Sequence, residues 1–142
     1  MITISKNEAE TLKLGEKIAA SSRGGDILSL VGNLGAGKTV LTRGICEFFG
    51  IKKGVKSPTF TLMNVYSVKN NQKIKAICHI DAYRLKSAKD LLNIGAQDFF
   101  DDPEVLTIIE WGDLAKDILP RRAKTITLEA LSEDERKITF DK

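Results

Sequence analysis

The residues Gly32-Asn33-Leu34-Gly35-Ala36-Gly37-Lys38-Thr39 match G-x-x-x-x-G-K-[ST] at every fixed position. Glycines permit a tight turn whose backbone N–H groups converge on a phosphate chain. A helix starting at Lys38 adds its positive dipole end and the unpaired amides of its first turn. The Lys38 ammonium can reach the β- and γ-phosphates, and the Thr39 hydroxyl can ligate Mg²⁺. Asn33, Leu34, Gly35, Ala36, Gly37, Lys38, Thr39 and Val40 are therefore the candidate nucleotide contacts. The bland alternative is a glycine-rich strand-to-helix turn with no ligand. The flanks favour the chemistry, because an apolar run precedes the turn and an amphipathic segment follows it.

Such a turn needs a carboxylate that holds Mg²⁺ directly or through water, usually at the end of a neighbouring strand. Two strand-like runs end in one: residues 74–80 lead into Asp81, and residues 105–109 into Glu110. The second run is continuously apolar, which places it mid-sheet beside the strand that precedes the turn. Ligands of open α/β sheets bind at the carboxyl ends of such strands, so Glu110 is the first choice for Mg²⁺. Its alternative is a surface residue paired with a lysine. Asp81 could orient or deprotonate an attacking water, support the metal from behind, or simply cap a following helix. Thr59, in Ser57-Pro58-Thr59-Phe60, lies where a threonine senses the γ-phosphate or Mg²⁺ in many proteins of this kind, and a turn-capping role suits it equally. Trp111 follows Glu110 and could pack over the site or belong to the core. The single histidine, His79, reads as a satisfied polar contact rather than a general base.

The elements that must position these groups follow from periodicity. Ser5 and Glu8 have capping-box spacing ahead of a helix running to about Ser22. Residues 26–31 form a buried strand, and a helix runs from Lys38 to a terminator at Gly50. Residues 61–68 and 73–80 read as an antiparallel hairpin turned at Asn70-Asn71. A buried strand over 105–109, a short helix over 113–119, and strands over 124–131 and 137–140 complete the chain. The pattern is α/β: a mixed sheet sandwiched by helices, with residues 1–142 as a single domain.

Composition agrees with one folded core. The 142 residues are 42% hydrophobic and 29% charged with a net charge of +3, which excludes disorder. No apolar run approaches the ~18–20 residues of a membrane span, and residues 1–6 lack the features of a signal peptide. Cys46 and Cys78 stand far apart in apolar segments and read as reduced core residues of a cytoplasmic protein. Residues 1–71 carry ten Lys/Arg against five Asp/Glu, which suits phosphate ligands but is too little to establish nucleic-acid binding. No N-K-x-D motif supports guanine specificity, so ATP is expected. Hydrolysis outranks phosphate transfer to a metabolite, since the chain has little room for a lid and an acceptor pocket. A small-molecule kinase and a nucleotide-gated binding module with little turnover are the alternatives.

The order of four motifs, the Gly32-to-Thr39 turn, Ser57-Pro58-Thr59-Phe60-Thr61-Leu62, His79-Ile80-Asp81-Ala82-Tyr83-Arg84-Leu85 and Glu110-Trp111, resembles the TsaE family from the first helix to Glu110. That resemblance implies a P-loop NTPase fold and a cytoplasmic ATPase using ATP and Mg²⁺. Its expected partners are TsaB-like and TsaD-like proteins, and its expected pathway is threonylcarbamoyladenosine modification of tRNA, with tRNA met through the complex and no membrane involved. By motif position it gives Thr39 and Glu110 the Mg²⁺ roles, and Asp81 and Thr59 the hydrolysis and switch roles. It also matches Thr11 to an N-terminal segment that touches the nucleotide near its base. Ala82 and Gly112 stand at positions that read as tolerant of change.

Overall fold

The computed structural model describes residues 1–52, 62–83, 85, 87 and 89–141. One seven-stranded sheet organises them. In chain order its strands are β1 (Ile2–Ser5), β2 (Ile27–Val31), β3 (Met63–Ser67), β4 (Ala76–Asp81), β5 (Val105–Glu110), β6 (Lys124–Ala130) and β7 (Arg136–Asp141). They lie side by side as β1-β7-β6-β2-β5-β4-β3. The four central strands β6, β2, β5 and β4 are parallel. Antiparallel pairings add β7 and β1 at one edge and β3 at the other.

The helices are α1 (Glu8–Ser21), α2 (Lys38–Phe48), α3 (Lys89–Asn93) and α4 (Ala96–Phe100). Period-two alternation along the strands splits the core between two faces. Leu28, Leu30, Leu106, Ile108, Ile126 and Leu128 pack with Ile18, Leu41 and Ile45 of α1 and α2. Ile27, Cys78, Ile80 and Ile109 pack with Leu91, Ala96 and Phe100 of α3 and α4. Every residue of β5 is buried, which is why this strand reads as an unbroken apolar run. The expected mixed sheet between helices is present.

Several local expectations are corrected. Helix α1 is capped by Asn7, whose side chain accepts the Glu10 N–H at 2.9 Å, and not by Ser5. Ser5 instead ends β1, an edge strand too short and too exposed to show in the hydrophobic pattern. The helix expected over 113–119 is a single 3₁₀ turn, Gly112–Ala115. Helices α3 and α4 are five residues each, below the length at which periodicity is visible. Ala82 and Gly112 are not tolerant positions. Ala82 is fully buried, and a Cβ on Gly112 would lie 1.8 Å from Ser29 Oγ.

Cys46 and Cys78 are buried on opposite faces of the sheet, and burial pushes both thiols up to about 12. They are core residues, as their apolar neighbours suggested.

Helices α1 and α2 cross at glycines. A Cβ on Gly44 would stand 2.3 Å from the Leu12 carbonyl oxygen, and one on Gly15 would stand 2.6 Å from that of Leu41. Both clashes are with backbone, which cannot rotate away. Gly44→Ala is therefore expected to destabilise the protein by about 1–3 kcal/mol through overpacking, despite alanine's advantage of about 1 kcal/mol as a helix former. Urea unfolding checks this; unchanged or raised stability would mean that the crossing tolerates a methyl group.

Candidate active site

The topology brings three strand ends to one edge of the sheet. Strand β2 runs into the Gly32-to-Gly37 turn, its neighbour β5 ends at Glu110, and β4 ends at Asp81 directly opposite Glu110 in register. The turn delivers the chain into α2 through Gly37, whose φ of 99° is a left-handed conformation open to glycine at little cost. Gly35 is also left-handed, at 78°. Within the turn the Ala36 N–H donates to Asn33 O at 3.1 Å. Ala36 is buried against the core, and Leu34 is exposed to solvent.

Lys38 and Thr39 open α2 at this edge. The Lys38 ammonium donates to Gly32 O (2.6 Å) and Asn33 O (2.8 Å) and lies 4.0 Å from the centre of the Trp111 ring. Burial lowers its pKa, while the negative charges of Glu110, Asp81 and Asp113 oppose that shift. The Thr39 hydroxyl donates to Glu110 Oε1 at 3.2 Å. Glu110 is 2% exposed and meets His79 Nε2 through its other oxygen at 2.6 Å, so it is no surface partner of a lysine. Trp111 packs over the site with its ring 4.9 Å from that of Tyr83, and its φ of 60° turns the chain sharply after Glu110.

Asp81 is half-buried beside this group. Its Oδ1 accepts the Tyr83 N–H at 3.0 Å, an Asx-type turn and not the cap of a helix. Burial raises its pKa, the Glu110 charge adds to that, and the Tyr83 hydrogen bond opposes it. The structure therefore gathers Lys38, Thr39, Asp81, Glu110 and Trp111 at one point. Thr59 lies outside the described residues.

Thr11 comes to the same region from the other side. With Glu8, Gly37, Val40, Asp134 and Arg136 it lines an open hollow beside the start of α2. Its hydroxyl is 2.7 Å from Ser5 Oγ, so Thr11 forms wall rather than a free donor. Sequence reasoning missed Arg136, which is braced by the carbonyls of Ser132, Glu133 and Glu135. His79 makes the polar contact expected of it, through Nε2, with Glu110 as the partner that was not foreseen. Alternation along β4 holds that signal, since residues 79 and 81 share a face; nothing in the sequence marks Arg136.

The donor set suits Mg²⁺. Among the described residues no three His, Cys, Asp or Glu side chains are placed to hold a metal ion together, so this is no closed structural metal cage. One hydroxyl and one buried carboxylate leave the rest of a hard cation's shell to water and phosphate oxygens, as Mg²⁺ prefers. Nor is any helix among the described residues long and apolar enough to cross a membrane.

A family model described as "Threonylcarbamoyl adenosine biosynthesis protein TsaE" matches residues 5–138. The chain is 36% identical over 134 residues to the tRNA threonylcarbamoyladenosine biosynthesis protein TsaE of Bacillus subtilis, covering 94% of this chain and 80% of that one. It is 34% identical over 139 residues to the Treponema pallidum protein of the same name, covering 98% of each. The crystal structure of Bacillus subtilis YdiB is similar with a TM-score of 0.78 and 30% identity, covering 99% of this chain and 83% of that one.

Proposed function

Because this chain belongs to the TsaE family of threonylcarbamoyladenosine biosynthesis proteins, we propose that it binds Mg·ATP at the Gly32-to-Thr39 turn and hydrolyses it slowly. We place it in the cytoplasm as one P-loop ATPase domain acting with TsaB-like and TsaD-like proteins, with tRNA met through that complex. The observation that carries the reading is the 3.2 Å approach of Thr39 to Glu110, residues 71 apart in sequence, beside a lysine at the loop mouth.

The chain's own groups divide the work. Backbone amides from Asn33 to Val40 surround the polyphosphate, and Lys38 exchanges its bonds to Gly32 O and Asn33 O for phosphate oxygens. Thr39 and Glu110 would hold the cation. When bound, Mg²⁺ neutralises charge on the β- and γ-phosphates. Asp81 orients a water and accepts its proton, a task favoured by its raised pKa. Thr59 reports the γ-phosphate. Thr11 and Arg136 wall the hollow where the nucleoside end would lie.

Calorimetric titration with Mg·ATP, followed by phosphate release with and without TsaB-like and TsaD-like proteins, tests this. One binding site, slow release alone and a changed rate with partners are expected. Absence of binding heat, with no phosphate released in any mixture, would overturn it. Transfer of the phosphoryl group to a small acceptor would make the protein a kinase instead.

A further inference from the structure

His79 sits in the interior, on β4, with none of its side chain exposed. It faces Ile108 across the β4–β5 pairing, two positions before Asp81 faces Glu110. Side chains two apart share a face, so His79 looks diagonally along the sheet at the Glu110 carboxylate. The contact is short, with His79 Nε2 2.6 Å from Glu110 Oε2, while Glu110 Oε1 is the oxygen that meets Thr39. The other ring nitrogen, Nδ1, is buried and has no hydrogen-bond partner among the described residues. The imidazole therefore spends its one directed interaction on Glu110.

A glutamate has three side-chain torsions, and the last is broad, so its two oxygens are not assigned by backbone geometry alone. Ordering such a side chain costs about 1.5–2 kcal/mol of rotamer freedom. A donor anchored on the adjacent strand removes that freedom before any ligand arrives. Lysine or arginine here would bring a fixed positive charge close to a cation position, whereas imidazole can donate as a neutral planar group.

We propose that His79 is a positioning residue: its Nε2–H holds Glu110 Oε2 so that Oε1 stays turned toward Thr39, where the cation would bind. This rests on the reading that Thr39 and Glu110 hold Mg²⁺, and it goes beyond that reading by giving the metal carboxylate a dedicated support. Outer partners of this kind commonly contribute roughly 10–100-fold to metal affinity.

Two amide substitutions separate position from polarity. His79→Gln places an N–H about where Nε2 stands, and His79→Asn places one about where Nδ1 stands, short of Glu110. For each protein, ATP affinity is measured by calorimetry with Mg²⁺ and with chelator, and thermal melting without ligand reports folding. His79→Asn is expected to lose roughly 10–100-fold of the Mg²⁺-dependent gain in affinity. Its chelator affinity should stay unchanged, and His79→Gln should keep most of the gain. The inference is overturned if both variants keep the full gain, or if both lose affinity equally with and without Mg²⁺. If the unaltered protein shows no Mg²⁺-dependent gain, the underlying Mg·ATP reading fails instead.

Discussion

Lys38→Ala is expected to weaken Mg·ATP binding by roughly 10²–10⁴-fold, with the folded structure retained. The ammonium now spans Gly32 O, Asn33 O and the Trp111 ring, so it is already held at the mouth of the turn. On phosphate it would make two charge-assisted hydrogen bonds worth about 1.5–3 kcal/mol each, and about 1.4 kcal/mol is tenfold in affinity. Its loss leaves two carbonyls at the loop mouth that water can satisfy, and it removes an ammonium that burial disfavours, so unfolding should shift little. Lys38→Arg should also fail, because a planar fork does not replace a compact point charge between two carbonyls and an indole face. Calorimetry on the three proteins checks this. Equal affinities would mean that the turn holds no polyphosphate.

Glu110→Gln separates binding from chemistry. The substitution keeps the volume and leaves an amide oxygen able to accept the Thr39 or His79 hydrogen bond, but removes the charge. Phosphate release at saturating Mg·ATP should fall about 10²–10³-fold, the scale for losing one preorganised electrostatic group. Affinity for ATP in chelator should hold or rise slightly, since a negative charge no longer faces the polyphosphate. Single-turnover phosphate release beside metal-free titration reads both quantities. Undiminished release would move the metal role to Asp81, the next carboxylate along the same edge.

The legible parts of this protein were those whose signal is local or strictly periodic. The turn into α2, the hairpin of β3 and β4, and the unbroken apolar run of β5 each carry a short-range physical requirement that residue types alone reveal. Strand β1 was invisible because it is a short and largely exposed edge strand, and helices α3 and α4 because five residues make little more than one helical turn. Gly44 carries no mark of its importance, since what forbids a side chain there is the carbonyl of Leu12 on another helix. Gly112 is hidden for the same reason, with Ser29 as the obstacle.

Residue types and spacing alone give a glycine-rich turn with the phosphate-loop pattern and two strand ends that offer carboxylates, because glycine freedom, a lysine and a hydroxyl at set spacing are properties of the chain itself. It takes the folded arrangement to bring Glu110 to Thr39, to set His79 against the other Glu110 oxygen, and to line the open hollow beside Thr11 with Arg136. The physical reason is strand order. Pairing β2 with β5 and β5 with β4 converts separations of tens of residues into hydrogen-bond distances, and side-chain alternation then selects which groups share a face.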